Sequence, residues 1–245
     1  MPALKKLPFL LLLLLFTGCA SIPIETQPAA VFQEGEEFYG AKRYDDAIAQ
    51  YKKVRDAYAS TELSSSAELR IADSYFESER YIEAASEYIQ FRKLHPTHQK
   101  APYALYRAGL SNFNLITGTD RDQTPQKNSV VYFEEFLKLY PKSEFAKDVT
   151  EKLEEVRSQQ LQYEQYVAEF YYRTEKYSAA IKRLESALAA FPKNSLHDKT
   201  WYLIGAAHLK AGETEKAREA FNRLSTDYPD SKLIIEASKL LEKYY

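Results

Sequence analysis

The chain has 245 residues, a length that fits one or two ordinary domains, whereas an array of repeats can grow beyond such limits. Its formal net charge of -2, from 33 basic and 35 acidic residues, lacks the basic excess of nucleic-acid-binding proteins and argues against nucleic acid as a partner. The chain contains one cysteine, which excludes an intramolecular disulfide.

The first 18 residues have the pattern of a secretory signal peptide. An apolar run at residues 7–16 follows two lysines, and it is about half as long as the roughly 20 residues that a membrane-spanning helix needs. Residues 16–19 read Phe-Thr-Gly-Cys and resemble a bacterial lipobox, so we predict cleavage before Cys19 and attachment of diacylglycerol and an N-acyl chain to it. The alternative is an ordinary signal peptide with an incidental cysteine. Residues 19–27 would form the lipid anchor and an extended tether.

The residue after the predicted lipidation site gives an expected destination. In lipoprotein sorting, Asp directly after the lipidated cysteine favours the inner membrane, whereas this chain has Ala20. Several acyl chains hold a protein more firmly than the marginal anchorage of a single chain. We therefore expect a lipid-anchored protein of the outer membrane that faces the periplasm.

Residues 28–229 carry five imperfect copies of one helix–turn–helix pattern. The landmarks of the clearest copy are Trp201, Ile204, Gly205, His208, Ala217, Phe221 and Pro229. Their spacing matches the tetratricopeptide repeat of about 34 residues. One such hairpin cannot bury its own apolar face, so the repeats must stack. The sequence thus predicts an all-α tetratricopeptide repeat solenoid of about five repeats, with an extra turn at 64–66 in repeat two and a capping helix at 231–244.

Repeats three and four depart from the regular pattern. A polar stretch at residues 116–127 interrupts repeat three, and we predict an inserted loop that ends where a helix begins at Asn128. Residues 143–173 contain neither proline nor glycine and keep a helical apolar stripe, which predicts one long helix or two that share an axis. The insertion divides the array into an N-terminal part, residues 28–115, and a C-terminal part, residues 128–245.

The concave face of a tetratricopeptide array is lined by positions two, five, nine and twelve of each first helix. In repeats one to three these positions hold Phe32, Tyr39, Leu69, Phe76, Tyr103, Tyr106, Leu110 and Phe113, whereas repeat four has Gln162, Gln165, Glu169 and Tyr172. We expect this mostly aromatic set to be exposed to the groove, where it would suit an extended peptide with alternating apolar side chains and a terminal aromatic residue. The alternative is that these side chains pack under neighbouring helices as core.

The sequence does not predict catalysis. His95 and His98 have the spacing of a metal-ligand pair, but they flank Pro96 in a turn that ends repeat two, and no cysteine or carboxylate motif joins them. Phosphate-binding loops and nucleophile elbows are absent from the sequence. We therefore expect no enzyme activity, no catalytic or metal-binding residues, and no cofactor besides the lipid on Cys19.

Several polar stretches that generic tetratricopeptide repeats do not need resemble the BamD family, the lipoproteins of the outer-membrane β-barrel assembly (BAM) complex. They are residues 95–98, 106–112, 120–122 and 167–172, together with Tyr163. The resemblance implies a non-catalytic subunit that promotes folding and insertion of outer membrane proteins. In this family the N-terminal repeats receive the C-terminal segments of unfolded barrel precursors, so the resemblance implies that the aromatic set forms the peptide groove.

The resemblance also implies partners for the C-terminal repeats. In the family these repeats dock the membrane-proximal POTRA domain of BamA, and Arg183 occupies the position of a basic residue that contributes a charged contact. The alternative for Arg183 is a solvated surface side chain. BamC- and BamE-like lipoproteins are left open as further partners. The competing function is that of a periplasmic tetratricopeptide lipoprotein that coordinates the cell envelope or division machinery.

Overall fold

The structure, a computed structural model, describes residues 27–57, 62–118, 121–192 and 194–244, and these ranges contain helices but no strand. The helices are α1 Pro28–Gly40, α2 Tyr44–Ala57, α3 Glu62–Glu77, α4 Tyr81–Leu94, α5 Ala101–Asn114, α6 Thr124–Leu139, α7 Ala146–Arg173, α8 Tyr177–Ala190, α9 His197–Lys210, α10 Thr214–Asp227 and α11 Leu233–Glu242. The predicted signal peptide and most of the tether, including Cys19, lie outside the described residues.

The first ten helices pair as five consecutive hairpins, and each helix also packs against the next one in the chain. The eleventh helix packs on α9 and α10 and covers the last repeat. This arrangement confirms the predicted tetratricopeptide repeat solenoid with a C-terminal capping helix. None of the described helices combines the length and the apolar character that crossing a membrane requires.

Glycines allow close approach of the two helices in three of the hairpins. A Cβ atom added to Gly109 would overlap the ring of Phe133, and one added to Gly205 would overlap the ring of Phe221. Gly35 has the same relationship to Tyr51 in the first repeat. The spacing signal in the sequence therefore reflects a direct fit between a glycine on the first helix and an aromatic ring on the second.

Four of the hairpins share one turn conformation. Lys42, Glu79 and Glu175 adopt positive φ angles of 58°, 60° and 60°, and Gly212 has a φ of 78° at the corresponding place in the last hairpin. Glycine occupies this left-handed region without steric cost, whereas the other three residues are held there by the helices on either side. In repeat three the inserted segment separates α5 from α6 at this place in the chain.

Two boundaries differ from the sequence prediction. Helix α6 begins at Thr124 rather than at Asn128. The Asp122 carboxylate accepts hydrogen bonds from the Thr124 N–H at 2.9 Å and from its hydroxyl at 2.8 Å, which starts the helix earlier and shortens the inserted loop. The predicted turn at residues 64–66 is also wrong, because these residues lie inside the 16-residue helix α3 and lengthen it.

The long helix and the capping helix were predicted more closely. Helix α7 is a single helix of 28 residues, which selects the one-helix alternative. Helix α11 spans Leu233–Glu242, somewhat less than the predicted 231–244. The hydroxyl of Ser231 accepts the Leu233 N–H at 3.2 Å and donates to Oδ2 of Asp198 at 2.7 Å. Ser231 therefore links the start of the capping helix to α9.

Candidate functional site

The first helices of repeats one to three, α1, α3 and α5, line a hollow of about 500 Å³ on the concave face. Three of the predicted groove residues, Phe32, Leu69 and Tyr103, contribute to its wall. The remaining lining residues are polar or charged, namely Glu36, Ser66, Arg70, Asp73, His98 and Lys100. The hollow thus combines an apolar wall with a charged floor, and we call it the N-terminal groove.

None of the eight predicted groove side chains is fully exposed. Leu69 is buried, with 9% of its surface accessible, and the other seven are half-buried. Their rings pack against neighbours while part of each side chain stays accessible: the ring centroids of Phe32 and Tyr51 are 5.3 Å apart, and those of Tyr103 and Tyr88 are 6.2 Å apart. Phe32 and Tyr103 therefore combine the two alternatives, because each packs against a neighbouring tyrosine and also lines the hollow.

Tyr39 and Phe76 are not among the residues that line the hollow, and each lies under an arginine. The Arg70 guanidinium carbon is 4.8 Å from the centroid of the Tyr39 ring, and the Arg107 guanidinium carbon is 3.7 Å from that of Phe76. Such cation–π contacts stabilise both partners and restrict the rings to one orientation. The aromatic wall of repeats one and two is therefore covered in part by cations.

Tyr106, Leu110 and Phe113 belong to a different environment. They pack, half-buried, on an apolar cluster formed with α6 and the start of α7. The Tyr106 ring stacks on Phe145 with centroids 4.6 Å apart and an interplanar angle of 11°. Of the eight predicted residues, the structure therefore places Phe32, Leu69 and Tyr103 in the hollow and Tyr39 and Phe76 under arginines. It directs Tyr106, Leu110 and Phe113 toward α7.

A hydrogen-bonded network of charged residues holds the floor of the N-terminal groove. Oδ1 of the buried Asp73 accepts the hydroxyls of Tyr88 at 2.6 Å and Tyr103 at 2.9 Å. Arg107 donates to the Tyr88 hydroxyl at 3.1 Å and to Glu77 at 2.8 Å. Because Asp73, Tyr88 and Tyr103 lie on α3, α4 and α5, the network ties three consecutive helices together.

The ionisation of this network follows from its burial. Burial raises the pKa of the Asp73 carboxyl, while the hydrogen bonds from Tyr88 and Tyr103 act in the opposite direction. Burial and the nearby Asp73 charge also raise the pKa of both tyrosine hydroxyls. The pKa of Tyr39 is raised to about 12, mainly by burial. The tyrosines therefore remain protonated hydrogen-bond donors around neutral pH.

Sequence reasoning missed the charged residues of the groove, although a signal for them exists. Glu36 and Asp73 each follow a predicted groove residue by four positions, and Arg107 follows Tyr103 by the same interval. Residues four apart lie on the same face of a helix. Charged residues one turn after an apolar concave-face position could therefore have been assigned to the groove floor.

Arg183 is half-buried and forms an ion pair within the fold. Its Nε is 2.7 Å from Oε2 of Glu164 on α7, and its guanidinium carbon is 5.6 Å from the centroid of the Tyr163 ring. The side chain of Arg183 is 30% exposed. It therefore joins α7 to α8 by an ion pair while part of the side chain stays accessible to solvent.

A second groove of about 840 Å³ lies between α8 and α10 and has α9 as its base; we call it the C-terminal groove. Trp201 and Ile204 contribute apolar surface to it. The exposed Lys182, next to Arg183 in the chain, lines one side, and Arg223 lines the other. Of the two adjacent basic residues, Lys182 rather than Arg183 faces this groove.

Polar residues elsewhere are engaged within the fold. Nε2 of His95 is 2.8 Å from Oε2 of Glu68, and Nδ1 of His98 accepts the Lys100 N–H at 3.0 Å. No group of three potential metal ligands occurs among the described residues. Gln165, a concave-face position of repeat four, is buried and donates to the carbonyl of Leu196 at 2.8 Å and to the hydroxyl of Thr200.

Residues 24–219 match the sequence model of the family YfiO, described as "Outer membrane lipoprotein". Among curated relatives, the outer membrane protein assembly factor BamD of Rickettsia prowazekii is 27% identical over 88% of this chain and 86% of its own length. BamD of Vibrio cholerae is 26% identical over 86% of this chain and 93% of its own length. Neither name includes a catalytic activity.

Among solved structures, the TPR2AB domain of yeast Sti1 in complex with pHSP90 is 14% identical and covers 89% of this chain and 83% of its own, with a TM-score of 0.46. MamA is 18% identical and covers 89% of this chain and 96% of its own, with a TM-score of 0.43. The family match covers residues 24–219, well over half of the chain. The chain therefore belongs to the YfiO family of outer membrane lipoproteins, and its curated relatives across most of their length are BamD assembly factors.

Proposed function

We propose that this protein is a non-catalytic lipoprotein subunit of a β-barrel assembly complex, bound to the periplasmic face of the outer membrane through acyl chains on Cys19. It binds C-terminal segments of unfolded outer membrane proteins in the N-terminal groove. Its C-terminal repeats bind a POTRA domain of BamA, and BamC- or BamE-like lipoproteins are further candidate partners. The assembly role is supported by the BamD relatives, which match over most of both chains.

The single observation that carries the peptide-binding part is the hollow between α1, α3 and α5, where Phe32, Leu69 and Tyr103 form an apolar wall. A hollow of about 500 Å³ has room for a few side chains of an extended segment. The polar network beneath the wall fixes the Tyr103 ring through its hydroxyl. A wall that is rigid before binding lowers the entropy cost of holding a peptide.

A peptide-binding experiment tests this part. A fluorescent synthetic peptide with the C-terminal sequence of an outer membrane barrel protein is titrated with the purified chain, and its anisotropy is followed. Phe32→Ala removes one side of the hollow, and we expect an affinity about tenfold lower. Ile82→Ala is the matched control, because Ile82 is 70% exposed and lies on α4, outside the N-terminal groove. The proposal fails if the wild-type protein does not bind, or if both variants bind like the wild type while folded.

The C-terminal groove supports the docking of a partner domain. Its apolar base at Trp201 and Ile204 is bordered by charged side chains from α8 and α10. An apolar centre with a polar rim is the usual composition of a protein interface. The full-length lipidated protein is extracted from membranes in detergent, and co-purification of a BamA-type barrel is the expected result. Recovery of cell-division or peptidoglycan enzymes in its place would support the competing adaptor function.

The anchor is tested separately. Cys19→Ser removes the only thiol in the chain, so lipidation at this position is lost. We expect the wild-type protein to fractionate with outer membranes and to carry the mass of the acyl chains. Cys19→Ser is expected to be unlipidated and released from the membrane. An unmodified mass for the wild-type protein would contradict lipidation.

A further inference from the structure

The arginine that lines the N-terminal groove is held between two carboxylates. Arg70 on α3 forms a close ion pair with Glu36 on α1, and its Nη1 lies 3.7 Å from Oδ2 of Asp73. Glu36 also accepts the hydroxyl of Tyr51 at 2.6 Å, which fixes its carboxylate beside the guanidinium. The lining guanidinium is therefore already engaged by protein acceptors before any ligand arrives.

The local charge balance is unfavourable for an acidic ligand. Arg70, Glu36 and Asp73 lie together in the hollow, which His98 also lines, and these three groups carry a net negative charge when both acids are ionised. Lys100 also lines the hollow, but it is exposed, and solvent screens its charge more than charges at the floor. An acidic side chain placed in the hollow would approach two carboxylates without a free cation at the floor.

A second arginine is neutralised in the same way. The side chain of Arg107 is 16% exposed, donates to Glu77, and covers the ring of Phe76. Arg70 and Arg107 thus lie over aromatic rings while their N–H groups pair with carboxylates and, in Arg107, with a tyrosine hydroxyl. Arg70 and Arg107 therefore pack against rings and bridge to carboxylates, and they do not serve as free anion-binding sites.

We propose that this arrangement makes the N-terminal groove selective for peptide segments with neutral apolar and aromatic side chains, and that Glu36 sets the selectivity by neutralising Arg70. The inference rests on the proposed peptide-binding function and names the ligand class of that site. Glu36 is a specificity-determining residue. Its own charge repels acidic side chains, and its ion pair with Arg70 keeps the guanidinium from binding them. A groove that is aromatic but contains a free arginine would accept both classes of peptide.

The test compares two synthetic peptides that share one alternating apolar sequence and a C-terminal aromatic residue with a free carboxylate. In the second peptide, two threonines are replaced by aspartates. Both are titrated against the wild-type protein and two variants by fluorescence anisotropy. Glu36→Gln retains the size of the side chain and removes its charge, and Glu37→Gln changes the charge of the exposed neighbouring residue equally.

For the wild-type protein we expect the acidic peptide to bind at least about tenfold more weakly than the neutral one. In Glu36→Gln this ratio should fall to about threefold or less, mainly through tighter binding of the acidic peptide, whereas Glu37→Gln should keep the wild-type ratio. Equal binding of both peptides by the wild-type protein, or identical ratios in the two variants, would overturn the selectivity proposal. Failure of the wild-type protein to bind either peptide would instead overturn the proposed function.

A further variant keeps the test decisive if Glu36→Gln is poorly folded. Arg70→Gln removes the guanidinium and leaves the carboxylates of Glu36 and Asp73 at the floor. We expect it to bind the neutral peptide and to discriminate against the acidic one at least as strongly as the wild-type protein. A loss of discrimination in Arg70→Gln would contradict the proposal, because it would mean that the carboxylates do not repel acidic side chains.

Discussion

The hydroxyl of Tyr106 donates a hydrogen bond to Oδ2 of Asp148 at 2.9 Å. Its ring also stacks on Phe145, so two contacts attach α5 to the segment that begins α7. This relationship favours the core alternative for Tyr106, which the sequence placed among the predicted groove residues. Removal of its side chain would disturb the junction of repeats three and four before it affected a ligand.

The two contacts of Tyr106 can be separated by mutation. Tyr106→Phe retains the stacked ring and loses one hydrogen bond, so we expect the free energy of unfolding to fall by about 1 kcal/mol. Tyr106→Ala also loses the ring, and we expect a loss of about 2 kcal/mol or more from a half-buried aromatic side chain. Urea unfolding followed by circular dichroism measures both values. Equal stability of Tyr106→Ala and the wild-type protein would show that the ring does not hold the junction.

Glycine at the centre of a hairpin is required by the facing ring. We expect Gly109→Ala to lower the free energy of unfolding by about 1–3 kcal/mol, because the added methyl group overlaps the buried ring of Phe133. Gly40→Ala is the matched control, because a Cβ at Gly40 has no atom within 4 Å. This control should be neutral or slightly stabilising, since alanine restricts the unfolded chain. Comparable losses in the two variants would point to a general cost of replacing glycine rather than to the ring.

The ion pair of Arg183 with Glu164 makes a single charge reversal ambiguous. Arg183→Glu would place two carboxylates side by side between α7 and α8, so loss of BamA binding could follow from local damage alone. The double variant Arg183→Glu/Glu164→Arg restores an ion pair with the charges exchanged. If Arg183 contacts the partner directly, we expect co-purification of BamA to be lost in both the single and the double variant.

Lys182→Glu is the comparison variant for this experiment. Lys182 is exposed and lines the C-terminal groove, so its reversal changes the net charge equally without breaking the α7–α8 ion pair. Recovery of BamA binding in the Arg183→Glu/Glu164→Arg protein, with a loss in Lys182→Glu, would assign the contact to Lys182. Thermal unfolding of each variant separates docking from stability.

The regular part of the fold could be predicted because each landmark has a local physical cause. Gly205 and Phe221 stand in the consensus spacing because one fits directly against the other, and that relationship recurs in Gly109 with Phe133. Helix starts were harder to predict. Asp122 moves the start of α6 through a side-chain hydrogen bond to Thr124, a contact that apolar periodicity does not contain.

The candidate site could be predicted only in part, because periodicity identifies the face of a helix but not how deeply a ring is packed. Phe32 and Tyr103 were assigned to the concave face, where they line the hollow. Their partial burial depends on Tyr51, from the second helix of the same hairpin as Phe32, and on Tyr88, from the second helix of the hairpin before Tyr103. Such contacts between helices are set by the packing of the whole array rather than by the sequence of one helix.

Partly buried tyrosines determine how the protein responds to alkaline pH. The pKa of Tyr39 is raised to about 12 mainly by burial, and that of Tyr106 is raised to about 12 by burial and its hydrogen bond to Asp148. In the unfolded chain these hydroxyls lose their protons near pH 10. The folded state therefore binds more protons than the unfolded state between about pH 10 and 12.

Because the folded state binds more protons than the unfolded state, we expect the free energy of unfolding to fall as the pH rises from about 10 to 12. The tyrosine contribution is fully present below pH 10, because the hydroxyls are then protonated in both states. Tyrosinate absorbance and circular dichroism should change together, since the buried hydroxyls ionise as the chain unfolds. Tyr106→Phe removes one of these groups and should weaken the dependence on pH in this window. Ionisation of all tyrosines near pH 10 with the helices intact would contradict the packing of Tyr39 and Tyr106.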